Sequence, residues 1–291
     1  MMDYNSGNTS EGVSNVVYTT PTTPITPEPA APEPAQTTEF PYPLGANRSS
    51  PDPRDYYVSQ FYATLPKADV NVSPPALAGG VAPLPLSSAD LPLTTPLVQI
   101  GGSCVAYGFA GAMQHTLWTV HKQWYDLDVE EFFLTGGGNP TYGWEIREAL
   151  VFAQQRGIYT KDHSQIFKVK NYYKVPQTEL DVMTAIYQGS RGVGLSPVLW
   201  ETAWPWDWFN PAAGTGLLTP GGGQIASGHL TYGFRYVPRI FGATGVCMTG
   251  RQSWGYINAQ TKTYWGVNSN YEVQMSDVIG PLCWGIYTFT I

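Results

Sequence analysis

Cys104 and His229 are the two side chains of this sequence whose types and surroundings suit nucleophilic chemistry. A thiol becomes a useful nucleophile when its proton leaves. The unpaired N–H groups of a helix N-terminus and a neighbouring imidazolium both favour that loss. Cys104 follows a Gly101-Gly102-Ser103 turn and opens a run in which Val105, Phe109, Met113, Leu117 and Val120 recur at three- and four-residue spacing. The spacing predicts an amphipathic helix with the cysteine in its first turn. Taken by itself, a lone cysteine of this kind is more commonly a buried structural residue. Of the four histidines, His115 and His121 lie too far along the same helix to face back to its start, and His163 sits in a charged loop. His229 follows Gly228 and opens an apolar, aromatic run, HLTYGFRYV, so its ring can be held where two lobes meet. The chemistry of such a pair is attack by sulfur on a carbonyl, with imidazole returning the proton to the leaving group.

The elements that must position the pair are legible in outline. A second helix is expected from Tyr142 to Gln155, burying Trp144, Ile146, Ala149, Leu150 and Ala153, with Gly157 as its stop. A third follows Pro176, with Leu180, Met183 and Tyr187 on one face and Gly189 at its end. Beyond Gly192, β-branched and aromatic runs at 193–199, 229–237, 245–248, 263–267 and 284–291 are separated by Gly, Pro and Asn and read as strands. Helices first and strands afterwards predict an α+β fold with two lobes.

The 291 residues suffice for one large core, and only 13% are charged, with a net charge of −7. No Lys/Arg run or basic stripe is present, which excludes nucleic acid as the expected partner. No apolar run approaches the about 20 residues that span a bilayer, and the polar start MMDYNSGNTSEG does not resemble a signal peptide. These features leave the location undetermined, with a virion and the cytoplasm both compatible. Residues 1–55, with their TTPTTPITPEPAAPEPAQTTEFPYP stretch, are expected to be an extended arm or linker. Such an arm is either disordered or laid along a neighbouring subunit. Residues 56–291 form the folded domain, mainly helical over 56–165 and mainly β over 166–291.

Four segments then carry a resemblance. Gln99-Ile100-Gly101-Gly102-Ser103-Cys104-Val105-Ala106-Tyr107 is similar to the active-site motif of papain-like cysteine peptidases, Gln-Gly-x-x-Gly-Ser-Cys-x-Ala-Phe. Gly228-His229-Leu230 through Gly233-Phe234 resembles the family's Gly-His strand, and Arg251-Gln252-Ser253-Trp254-Gly255 its Asn-Ser-Trp-Gly element. Trp265-Gly266-Val267-Asn268-Ser269-Asn270-Tyr271 is similar to the Trp-Gly-x-x-Gly-Tyr that follows. The resemblance implies a helical left lobe, a β-barrel right lobe and a cleft between them. It also implies that a Cys104 thiolate and His229 hydrolyse protein or peptide substrates without a cofactor. Gln99 and the Cys104 N–H would hold the oxyanion, Gln252 would orient the imidazole, Trp254 would shield it, and Gly143 would line the substrate cleft. One spacing and one residue depart from the family pattern: Gln99 is one residue closer to the cysteine, and Gln252 stands where Asn is usual. The family's lobe-stapling cysteines are absent, which suits a reducing compartment.

Other features have plainer readings. Trp200, Trp204, Trp206 and Trp208 fall within LWETAWPWDWF, either as a cleft wall or, preferably, as a loop packed on the right lobe. Asp126, Asp128, Glu130 and Glu131 read as a solvated helix start. Cys247 and Cys283 form an arithmetically possible disulfide, and no spacing suggests a metal site. An alternative from a different class is a structural component of a larger assembly, such as a virus particle, built on the same fold with weak or no peptidase activity.

Overall fold

A computed structural model describes residues 45–53, 55–63, 99, 102–209, 211–212, 215–237, 242–251, 256–257, 264–265 and 270–291. In chain order the elements are β1 (Ala46–Asn47), α1 (Val58–Tyr62), α2 (Cys104–His121), α3 (Val129–Gly136), β2 (Trp144–Glu145), α4 (Ile146–Gln155), β3 (Ile158–Tyr159), β4 (Ile166–Phe167), β5 (Asn171–Lys174) and α5 (Glu179–Ser190). They continue with β6 (Val198–Pro205), a 3-10 turn (Trp206–Phe209), β7 (Ile225–Val237), β8 (Cys247–Arg251), β9 (Tyr256–Ile257), β10 (Tyr264–Trp265), β11 (Asn270–Gln274), α6 (Met275–Val278) and β12 (Cys283–Thr290).

Most of the helical residues precede the long strands, although β5 comes before α5 and α6 lies between β11 and β12, and six strands form one antiparallel sheet in the order β11-β8-β7-β6-β12-β5. Among the described residues this sheet is open rather than closed into the expected barrel. Its two faces carry two cores. Leu199, Leu230, Tyr232, Phe234, Tyr287 and Phe289 pack with α2, α3 and α4. Val198, Trp200, Tyr236 and Ile286 pack with α1, α5 and α6. Alternation along β6 and β12 supplies both sets, since neighbouring side chains leave a strand on opposite faces, while in β7 the register shift between Gly233 and Arg235 puts Tyr236 on the face opposite Phe234.

Helix α2 begins at Cys104, where the sequence places it, but it is not amphipathic in the expected sense. Fourteen of its residues, from Cys104 to Thr119, are buried, and only the far end reaches solvent. The face opposite Val105, Phe109 and Met113 is covered because Gly108 and Gly111 let β7 come close. A Cβ on Gly108 would crowd Leu230, and one on Gly111 would crowd the Tyr232 ring. A helix apolar or small on all sides is a buried helix.

Two boundaries differ from expectation. Helix α4 starts at Ile146 because Trp144 and Glu145 are extended and pair with β1. Strand β6 runs from Val198 to Pro205, later than the 193–199 run, because Gly192 and Gly194 adopt positive φ and turn the chain before it. The tryptophans do not share one extended face, since β6 gives way to a 3-10 turn at Trp206. Trp200, Trp204 and Trp208 are fully buried, with ring centroids 5.1 to 6.3 Å apart, so they are packed as expected, but from a strand and a 3-10 turn rather than from a loop.

Candidate active site

Cys104 is fully buried at the first position of α2. Main-chain groups of Leu230, Gly45 and Val105 hydrogen-bond to its sulfur. Leu230, the residue after His229, faces α2 and the sulfur, whereas the His229 ring lies beside Trp204, whose side chain belongs to the core on the opposite face of the sheet. Register pairs Leu230 with Glu201 and His229 with Thr202 on β6. Leu230 packs toward α2, while the buried His229 ring stands edge-on to Trp204 at 4.7 Å.

The seam above the sulfur is filled by the chain itself. Residues 45–50 run through it as an extended strap. The Gly45 carbonyl accepts the Trp144 N–H at 2.8 Å, and β1 continues parallel to β2 in register. A Cβ on Gly45 would overlap the Gly102 carbonyl, and one on Gly143 would overlap the Gly45 carbonyl. Gly143 also holds φ at 81°, a region that disfavours side chains. On the sheet side the Ala46 carbonyl lies directly over Gly228. Further along, the Ser49 hydroxyl donates to Glu201 Oε1 at 3.5 Å. Arg147 donates to the Ser50 carbonyl and pairs with Asp55 at 2.8 Å. Asp55 is also held by Lys174 at 3.6 Å, ahead of α1, whose Val58 and Phe61 are in the core. Of the stretch expected to be an arm, then, residues 45–50 are packed against the folded domain.

Burial dominates the electrostatics. It pushes the Cys104 thiol up to about 11, against the opposing pull of the three main-chain hydrogen bonds, and Glu201 adds to the rise. The helix N-terminus is present but is outweighed, because removing a thiolate from water costs more than a partial dipole returns. Burial likewise pushes the Glu201 carboxyl up to about 8, with hydrogen bonds from Ser49 pulling down and Glu145 pushing up. A carboxyl raised in the folded state stabilises the fold while protonated, and that stability is lost as pH rises from the ordinary 4.5 through about 8. Glu201→Gln, neutral at every pH, should therefore flatten the fall of urea midpoints between about pH 4 and about pH 9. Parallel declines in both proteins would show that Glu201 is not the group responsible.

The other expected site residues are distributed as follows. Gln99 is buried. Gln252 and Trp254 lie outside the described residues. Cys247 and Cys283 are both thiols, so the possible disulfide does not form. His115 is a core histidine packed on Phe234 at 5.5 Å, and burial pushes its pKa down to about 3. Asp128 caps α3 by accepting the Glu131 N–H, as an acidic helix start would. Among the described residues, Asp128, Glu131 and His163 offer ligand atoms within 4.8 Å of one another. His163 Nε2 lies 3.6 Å from an Asp128 oxygen and 3.4 Å from a Glu131 oxygen. Two participants had no signal in the sequence: the 45–50 strap, which reads as part of the Pro-rich arm, and Glu201, which reads as one polar residue in an aromatic run.

Comparison with solved structures identifies the architecture. Xylellain, a cysteine protease from Xylella fastidiosa, superposes with a TM-score of 0.59 at 14% identity, covering 85% of this chain and 95% of that one. The fold is papain-like. The bromelain protease from Ananas comosus matches at 0.51 and 13% identity, over 71% of this chain and 98% of that chain. The cysteine protease and lectin-like domains of a surface layer associated protein of Clostridium difficile match at 0.52 and 14% identity, over 70% of this chain. In that last case the match spans only 50% of the longer chain. No protein-family model and no curated protein matches the sequence. The likeness is thus one of papain-like fold, and among the described residues no helix is long and apolar enough to cross a membrane.

Proposed function

We propose that the chain is a papain-like cysteine peptidase held latent by its own residues 45–50. The observation that carries this reading is the strap. The seam over Cys104 already holds an extended polypeptide, hydrogen-bonded to Trp144 on one side and lying over Gly228 on the other. A site that binds main chain this way beside a helix-terminal thiol has the geometry for peptide hydrolysis.

In the reaction Cys104 gives its proton to His229, and the thiolate attacks the scissile carbonyl carbon. The oxyanion is held by the Cys104 N–H and the Gln99 amide. Collapse breaks the C–N bond, with the His229 imidazolium protonating the departing amine. Water then attacks the thioester and frees the sulfur. The roles given to Gln252, in orienting the imidazole, and to Trp254, in shielding it, rest on the resemblance of their segment to the family's Asn-Ser-Trp-Gly element, and Gly143 lines the cleft.

The test is a peptide aldehyde applied to the full chain with the strap displaced by Gly45→Val, the adduct being located by mass spectrometry. An adduct on Cys104, ahead of Cys247 and Cys283, is the expected result. Equal modification of all three thiols, or none on Cys104 after the strap is displaced, would end the reading. The buried, protonated sulfur favours a second reading, in which the fold is a scaffold within a larger assembly, such as a virus particle. That reading expects no adduct on Cys104 and contacts from residues 1–55 to neighbouring subunits.

A further inference from the structure

Glu201 is a fully buried carboxyl group on the sheet face that looks toward Cys104. Ser49 hydrogen-bonds to it through main chain and hydroxyl, the latter at 3.5 Å to Oε1, while its Oε2 has no hydrogen-bond partner among the described residues. The titratable neighbours that act on it or feel it are Glu145, Arg147, Tyr287, Cys104 and Cys283. A buried acid with an unsatisfied oxygen is costly, and it is retained against that cost when a partner arrives to meet it. Here the group in front of it belongs to the strap, the one part of the seam that must leave for a substrate to enter.

Resting on the peptidase reading, we propose that Glu201 is a specificity residue that selects substrates carrying a lysine or arginine side chain where Ser49 now lies. A cationic head would supply both carboxylate oxygens with charge-assisted hydrogen bonds, which a serine hydroxyl cannot do. An acidic side chain would meet Glu201 and Glu145 together and be repelled. Arg147 does not pre-empt the role. Its partner Asp55 is held by Lys174 and leads into α1, so that ion pair survives withdrawal of residues 45–50.

The experiment uses the full chain carrying Gly45→Val, in which the strap is displaced. Three irreversible peptidyl thiol traps differ in one side chain (Arg, norleucine or Glu), and modification of Cys104 is followed by mass spectrometry. The Arg trap should react at least about tenfold faster than the norleucine trap, with the Glu trap slowest. Adding Glu201→Gln should bring the Arg and norleucine rates together. If that double variant does not fold, salt makes the same test in Gly45→Val alone. The Arg preference should shrink severalfold between about 0.05 and about 0.5 M salt. A norleucine rate equal to or above the Arg rate, or an Arg preference untouched by Glu201→Gln and by salt, overturns the proposal and leaves the peptidase intact. Failure of every trap to reach Cys104 overturns both.

Discussion

Replacing Gly45 by Val should raise the alkylation rate of Cys104 at neutral pH at least about tenfold. The strap passes Gly102 with no room for a side chain, since even a Cβ on Gly45 would overlap the Gly102 carbonyl. The body of the protein has no slack at that point, because Gly143 closes on the other side of the same residue. The strap must therefore lift. Lifting removes the burial that pushes the thiol up to about 11 and lets it fall toward the ordinary 9.0, about a hundredfold more thiolate at neutral pH. A less basic thiolate is also less nucleophilic, with a Brønsted slope of about 0.4 to 0.5, so ionisation alone supplies about tenfold. Access adds to it. Cys247 is the internal control, because it is buried in a separate small cluster with Leu217, Val237 and Ala243. Iodoacetamide labelling with peptide mapping reads both sites. A common acceleration of Cys104 and Cys247 would signal general loosening and refute the strap's specific role.

In the strap-lifted chain, Cys104→Ala should abolish peptide hydrolysis, and His229→Ala should lower kcat/KM by about 10² to 10⁴-fold. Cys104 supplies the electron pair that makes the covalent intermediate, and no other thiol is near α2's first turn to replace it. Loss of the imidazole leaves the sulfur in place but removes the group that takes its proton and returns it to the amine. Binding should survive, since the seam's contacts to main chain come from Trp144, Gly143 and Gly228. Hydrolysis of a fluorogenic peptide measures both variants. Full activity in His229→Ala would reassign the base, whereas unchanged, vanishing activity in parent and variants would favour the scaffold reading.

Much of the frame is local and hence readable from the chain. The Gly-Gly-Ser turn and the apolar spacing from Val105 to Leu117 announce α2 and put Cys104 at its start. The β-branched and aromatic run from His229 announces β7. Asp128 with Glu130 and Glu131 announces the start of α3. Short elements such as β5 and β11 escape, because four or five residues carry too little pattern to stand apart from their surroundings. The buried side of α2 escapes for another reason. Ala106, Gly108, Ala110, Gly111 and Ala112 are small, and smallness becomes burial only when a strand lies against it.

By itself, then, the sequence determined which residues are capable of the chemistry and on which kinds of element they sit. It did so because periodicity, glycine turns and proline content act over a few residues. Only the tertiary structure decided that Leu230 rather than a distant group meets the Cys104 sulfur, that residues 45–50 lie in the seam, and that Glu201 waits beneath Ser49. Ser49 and Glu201 are separated by 152 positions, and neither carries a local mark of the other. Their meeting follows from strand register and from the close approach that glycines at 45, 143 and 228 permit. The same packing sets the charge state of the site, since burial, a property of the assembled fold, moves both the thiol and the carboxyl.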